Sequence, residues 1–299
     1  MKTDMVYPTF FRSTAIMVIL LSIPGWAQAQ GGDGPGRTRY AEPKFRMGLH
    51  LLPSVAWIDA RDPHTRSDGS IMRFGFGFTA DVMFADNYAV GTGINVFRNG
   101  GKLTYYDRLT GDPFVAADDS TSFLVRRDRK LTQHWVELPL SFKFRTREIG
   151  HITYWGQFGL GLGLNLRSTA DDAMDYLYRG VPDGAGGVIW EEETAIAAAD
   201  DGIVMADNQP VEDEVALLRA AMIVGLGIEY NLSGKTALLV GATFNNGLTN
   251  VANNRNFGAA RNEEHLVPAA DGSLDPAGLE GYKIKMVDNA ILFSLGLLF

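Results

Sequence analysis

The chain has 299 residues, 34 glycines, 11% aromatic residues, no cysteine and a formal net charge of −8. The lack of cysteine excludes disulfides and thiol chemistry, and net acidity argues against nucleic acid as a partner. The length allows one large β domain or two smaller ones.

Lys2 and Arg12, the apolar run from Ala15 to Ile23 and the small-residue triplet Ala27-Gln28-Ala29 predict a cleaved secretory signal over residues 1–29. The run falls short of the roughly 20 residues that a spanning helix needs, and no other run reaches that length. If the chain enters a membrane, it must cross as strands. Residues 30–44 are then a periplasmic N-terminal segment, and 45–299 are the folded domain.

Eight segments of that domain alternate with period two, the signature of strands whose faces meet different surroundings. Phe45 to Ile58 sets Met47, Leu49 and Leu51 against Arg46, Gly48 and His50. Met72 to Phe84 sets Phe74, Phe76 and Phe78 against Arg73, Gly75, Gly77 and Asp81. Tyr88 to Phe97 repeats the pattern. Trp135 to Arg145 sets Val136, Leu138, Leu140, Phe142 and Phe144 against Glu137, Ser141, Lys143 and Arg145. Pro139 on its polar face lacks a ladder donor and predicts a local irregularity.

The fifth segment, Ile152 to Arg167, contains "GQFGLGLGLNLRS". A dinucleotide loop would need Gly-x-Gly-x-x-Gly opening a helix. The third glycine of that spacing is missing, so the glycines alternate with leucine as the small face of a strand. Leu218 to Tyr230, Thr236 to Asn245 and Lys283 to Phe299 complete the set, and they carry Arg219, Glu229 and Asp288 on their polar faces.

Short turns at Ala85–Asn87, Thr146–Gly150 and Asn231–Lys235 alternate with long connections at Asp59–Ile71, Arg98–His134, Ser168–Val215 and Asn246–Tyr282. Short turns at one end and long loops at the other are the pattern of a bacterial outer-membrane barrel. In lipid every backbone polar group must be paired within the sheet, so the sheet must close. The expected fold is therefore all-β: an eight-stranded antiparallel transmembrane β-barrel with short periplasmic turns and long extracellular loops, in the cell outer membrane. Bulky residues face lipid. Glycines on the inner face make room for large charged neighbours.

That inner face collects Arg46, His50, Arg73, Asp81, Glu137, Lys143, Arg145, Arg167, Arg219, Glu229 and Asp288. Eight strands leave an interior only wide enough for side chains, and isolated charges there would be costly. The two readings are a salt-bridged plug and an ion path, and the plug is favoured. Tyr88, Tyr154, Tyr230 and Phe84 beside the short turns, with Trp57 and Trp135 near the long loops, are expected as aromatic girdles. "RRDRK", Arg126 to Lys130, is expected to be solvated, or else to contact lipid phosphates or the acidic connection after Ser168. That connection is itself expected to be a solvated loop.

No Asp-x-Asp-x-Asp-Gly loop, Gly-x-Ser-x-Gly elbow or His-Glu-x-x-His helix is present. No catalytic, cofactor or metal residue is therefore assigned. His64, His134 and His265, with Asp118, Asp119, Asp171 and Asp172, are the weak alternative for a loop-borne hydrolase. The final "ILFSLGLLF" ends in Phe299 and resembles the recognition signal of the barrel assembly machinery.

The segments "FRMGLHLLPSVAW", "FGFGFTADVMFADNYAVGTGINV", "HWVELPLSFKFR", "GQFGLGLGLNL" and the final strand resemble the PorT-type outer-membrane β-barrel proteins of Bacteroidota. "VELPL" followed by the glycine-alternating strand is the more specific part. The resemblance implies an eight-stranded outer-membrane protein, with one branch assisting protein secretion. The expected function is non-enzymatic: action through the outer loops, or as an accessory of a secretion or envelope complex. The expected partners are outer-membrane lipid, the barrel assembly machinery and a secretion or envelope protein. The alternative is a narrow solute or ion pore.

Overall fold

A computed structural model describes residues 44–110, 121–184, 187–193, 203–253 and 259–299. The expected signal, residues 30–43, Asp118 and Asp119 lie outside these. In chain order the strands are β1 (Phe45–Leu51), β2 (Ser54–Ala60), β3 (Thr65–Ser67), β4 (Ser70–Arg73), β5 (Gly75–Ala85), β6 (Tyr88–Thr110), β7 (Ser122–Arg145) and β8 (Ile152–Pro182). They continue with β9 (Val188–Glu192), β10 (Ile203–Pro210), β11 (Leu218–Ser233), β12 (Thr236–Gly247), β13 (Ala259–Ala260), β14 (Tyr282–Lys283) and β15 (Met286–Leu298). A one-turn helix, α1 (Pro276–Leu279), precedes β14. Among the described residues no helix is long and apolar enough to cross a membrane.

Eight strands form a closed antiparallel ring in the order β1, β5, β6, β7, β8, β11, β12, β15, and back to β1. Closure runs from Gly48 opposite Leu298 to Leu51 opposite Leu295. Met47 and Phe299 add a pair of backbone hydrogen bonds of 3.0 and 2.8 Å. β2 and β4 continue β1 and β5 without a change of register, since Leu51 faces Phe76 and Ser54 faces Arg73. The interruption falls at Pro53, which has no N–H to donate; its carbonyl still accepts from Phe293 N–H at 2.8 Å.

The alternation decides which face is outside. Phe74, Phe76, Leu160 and Leu162 are each more than half exposed, whereas Asp81, Glu137, Lys143 and Glu229 on the opposite face are buried. On β7 the outward residues Phe144, Phe142, Leu140, Leu138 and Val136 cover eight residue steps, about 26 Å along the strand at about 3.3 Å each. Tilted by about 40°, that run rises about 20 Å along the membrane normal, most of an apolar band roughly 25 Å tall. Phe84, Tyr88, Phe142, Phe144 and Phe158 form a contiguous ring cluster near the short-turn rim, with centroids 5.2 to 6.4 Å apart.

The glycines serve packing. A Cβ on Gly161 would stand 2.6 Å from the Glu137 carboxylate, and one on Gly163 2.6 Å from Arg219 Cγ. The Trp155 ring lies over Gly227 and Gly241, where added Cβ atoms would come within 2.6 and 2.3 Å of it. Each glycine leaves the volume that a large side chain from a neighbouring strand occupies.

Three of the four expected long loops are largely strand. β6 and β7 continue as a hairpin to Thr110 opposite Ser122. β8 is 31 residues long, about three times the 9–11 needed to cross a bilayer. β3 pairs with β6, and β9 and β10 pair with the upper part of β8, so a sheet stands well beyond the apolar band. The acidic stretch after Ser168 is thus mostly ordered pairing, and Asp172 and Glu193 are buried. These extensions are polar on both faces, which hid their period. Phe123, Val125 and Tyr176 nevertheless make a small core on one face, and Leu124, Trp190 and Leu266 make another on the opposite face.

Candidate functional site

Within the ring the buried charges divide into two layers. Toward the short turns, Glu229 Oε2 is 2.5 Å from Arg46 Nη1 and 2.6 Å from Arg145 Nη2, and Lys143 Nζ is 2.7 Å from Asp81 and 3.6 Å from Glu229 Oε1. Lys143 also sits over the Trp155 ring at 4.9 Å. Toward the long extensions, Arg219 lies 3.2 Å from Glu137 and 3.1 Å from Asp288. Asn245 donates to both Glu137 oxygens at 2.9 and 3.1 Å, and Asn99 donates to Asp288 at 2.7 Å. Arg46, Lys143, Arg145 and Arg219 thus face Asp81, Glu137, Glu229 and Asp288, so the formal charges of the two layers cancel. Pairing of this kind offsets the desolvation that each ion alone would suffer.

Between the layers is a cavity of about 70 Å³ lined by His50, Asn95, Ser141, Gln157 and Thr243 among others. His50 is half-buried, with Nε2 3.1 Å from Asn95 Oδ1. Above the upper layer an apolar cluster fills the ring. Leu52, Ile58, Phe97, Leu103, Leu131, Trp135, Val251, Met286 and Leu292 belong to it, and all are buried. The polar-inside pattern carried no sign of this cap. Its residues lie where β2 leans across β6, so that a Cβ on Gly101 would stand 2.5 Å from Ile58 N.

Three expectations are corrected here. Trp135 is not a girdle residue; it is fully buried inside, with the Arg219 guanidinium 5.5 Å from its ring centroid. Its odd number on a strand whose even residues face outward already placed it inside. Arg167 is exposed, not luminal. The pairing jumps from Trp135 opposite Asn165 to His134 opposite Arg167, so Leu166 is an extra residue that inverts the alternation. Arg73 is half-buried at the rim, where it donates to Thr132 Oγ1 at 2.9 Å, because β4 parts from β6 beyond Phe74. Phe299 is half exposed at the closing seam.

The outer sheet has its own ionic cluster, and "RRDRK" supplies its cations. Arg129 is buried and bidentate to Asp172 at 2.7 Å through both Nε and Nη2, and it also pairs with Glu214. Arg127 lies 3.5 Å from Asp107 and 3.8 Å from Asp172. Arg126 meets Asp175 at 3.6 Å and Lys130 meets Asp171 at 3.1 Å. The basic run is therefore the partner of the acidic stretch rather than a solvated face. Burial holds Asp107 above the usual carboxylate range although Arg127 opposes this, and burial pushes Tyr105 up to about 12.

An open groove of about 570 Å³ lies on the outer sheet, lined by His64, Arg66, Tyr106, Arg126, Asp128 and Glu263 among others. The histidines of the hydrolase alternative do not converge. His64 stacks on Tyr282 at 4.1 Å, His265 pairs with Asp275 at 2.7 Å, and His134 stands opposite Arg98 and Arg167. Asp171 and Asp172 are held by Lys130 and Arg129. Among the described residues no group of three or more His, Asp or Glu could hold a metal ion.

No curated protein matches the chain. Among solved structures, similarity is found to Neisserial surface protein A (NspA), at 12% identity and a TM-score of 0.35, covering 86% of this chain and 96% of that one. OprG from Pseudomonas aeruginosa is similar at 11% identity and a TM-score of 0.36, covering 85% and 92%. The outer membrane protease OmpT from Escherichia coli is similar at 10% identity and a TM-score of 0.30, covering 87% and 97%. The family model described as "Outer membrane protein beta-barrel domain" matches residues 26–253. With its closed eight-stranded ring, apolar band and paired interior, the chain belongs to the outer membrane protein beta-barrel domain family.

Proposed function

We propose that this outer-membrane barrel is a non-conducting, non-enzymatic platform that acts through the rigid sheet it carries outside the membrane, as a binding element or as an accessory of a secretion or envelope complex. The observation that carries this reading is the double closure of the lumen. Two ion-paired layers whose charges cancel only together leave about 70 Å³ between them, and the apolar cluster around Trp135 caps the outer mouth. A space of that size holds a few water molecules, not a hydrated solute stream. The outer sheet, braced by Arg129 and Asp172, offers the large groove beside Tyr106 and Arg126 as a contact surface.

Within the family, the resemblance of "HWVELPLSFKFR" and "GQFGLGLGLNL" to PorT-type proteins supports the accessory role. Planar-bilayer recording tests the platform reading against the pore. The purified protein is expected to insert without discrete conductance steps; regular openings would overturn the proposal.

A further inference from the structure

Arg98, His134 and Arg167 are successive cross-strand partners on β6, β7 and β8. Arg98 and Arg167 are exposed, and His134 is half-buried beside them. Arg73 joins the row from β4 through its bond to Thr132, which shares the outer face of β7 with His134. The four groups are close enough to feel one another. Burial and the charges of Arg98, Arg167 and Arg73 hold His134 below its usual range, and the hydrogen bond at Arg167 only partly opposes them.

Like charges placed directly opposite on neighbouring strands repel. Farther up, the four cations of the basic run on β7 each meet a carboxylate: Arg126 with Asp175, Arg127 with Asp107, Arg129 with Asp172, Lys130 with Asp171. Among the described residues, no carboxylate stands within ion-pair distance of Arg73, Arg98 or Arg167. Among the described residues the row thus has no direct counter-ion; Asp171 acts on Arg73 alone and beyond ion-pair distance.

Its height identifies what compensates it. The next outward residues toward the short turns are Val96, Val136 and Leu164, followed by Ile94, Leu138 and Leu162. Phe74 and Phe76 flank them, both more than half exposed. The row thus begins where the apolar band ends, on the side of the long extensions, at the level of the outer-leaflet headgroups. Across four strand positions at about 4.8 Å spacing it is about 14 Å long, room for more than one phosphate. Guanidinium groups bind phosphate through paired N–H donors.

We propose that Arg73, Arg98, His134 and Arg167 form a site for the phosphate groups of an outer-leaflet lipid whose acyl chains lie on Phe74, Phe76, Val96, Val136 and Leu164. The inference rests on the outer-membrane placement and is independent of the platform reading, because a conducting barrel would carry the same site.

Native mass spectrometry of the detergent-purified protein tests it, with lipid A bearing two phosphates, the same lipid dephosphorylated, and inorganic phosphate as probes. The protein is expected to retain the bisphosphorylated lipid and to lose it in the variant Arg98→Gln/Arg167→Gln, with affinity weakened at least about tenfold. Arg147→Gln, at the opposite rim, serves as the control and should bind as the parent does. Resistance of each variant to unfolding in cold SDS verifies the barrel. Equal retention of the dephosphorylated lipid, or undiminished binding by the folded double variant, overturns the site. Full displacement of the lipid by millimolar inorganic phosphate overturns its assignment to lipid.

Discussion

Arg219 Nε lies 3.1 Å from Asp288 Oδ1, and neither side chain has any solvent exposure. The same guanidinium reaches Glu137 and Asn245 and faces the Phe97 and Trp135 rings. One cation thus compensates two carboxylates and supports the apolar cap above them.

Replacing it should be severe. Arg219→Ala leaves Glu137 and Asp288 buried without their counter-ion, and breaking a buried pair in this way costs about 3–5 kcal/mol. The expected result is a lowered urea midpoint for unfolding from lipid vesicles. A midpoint within error of the parent would show that the layer is not a stabilising unit. The neutral pair change Glu137→Gln with Asp288→Asn, made in the Arg219→Met background, should recover much of the loss, because no ion is then stranded.

Arg129 gives the matching test outside the membrane. Its bidentate contact with Asp172 ties β7 to β8, and its bond to Glu214 ties both to the segment after β10. Arg129→Ala should loosen the outer sheet while leaving the ring closed, seen as new protease cuts between residues 98 and 134 in a barrel that still resists SDS. Arg129→Lys should rescue poorly, since an ammonium cannot reproduce the two parallel bonds. Rescue to parental protease resistance by lysine would reduce the contact to simple charge.

The third expectation concerns pH. Asp171 accepts from the Asn208 backbone N–H at 2.9 Å and from Lys130 at 3.1 Å, and these contacts hold its carboxyl below the usual aspartate range. A carboxyl lowered in the folded state stabilises fully above its unfolded pKa, near 3.9. The contribution is lost as pH falls through the lower folded value. Docking of β10 at Asn208 should therefore persist at pH 5 and weaken below about pH 4, followed through the Asn208 amide resonance. The pair is partly exposed, so the effect should stay below about 1 kcal/mol. Asp171→Ala should abolish the pH response; an unchanged titration in that variant would assign it to another group.

Much of the ring was legible because period two and tight turns are local signals. "MRFGFGFTADVMF" declares its two faces residue by residue, and the strand from Gly75 to Ala85 follows it. Arg46, Asp81, Glu137, Lys143, Arg145, Arg219, Glu229 and Asp288 were placed on the inner face by parity alone. Parity failed at Arg167, where a single inserted residue reverses it, and at Arg73, where two strands part. It also failed above the membrane, where both faces of β6, β7 and β8 carry charge. No local rule shows that Arg129 will find Asp172 across strands, because that contact depends on a register set by the bulge at Leu166. The inward lean of β2, which builds the cap around Trp135, is a tertiary event with no signature in the alternation.

The Glu229 carboxylate draws Arg145 from 84 positions earlier in the chain and Arg46 from 183 earlier. Strands so distant cannot be gathered one at a time at low entropic cost. A partly wound ribbon would leave Glu229 without Arg46 and the inner layer incompletely paired until the first and last strands meet. Insertion should consequently proceed as one cooperative event whose rate is governed by seam formation between Gly48 and Leu298, with half-built rings too short-lived to accumulate.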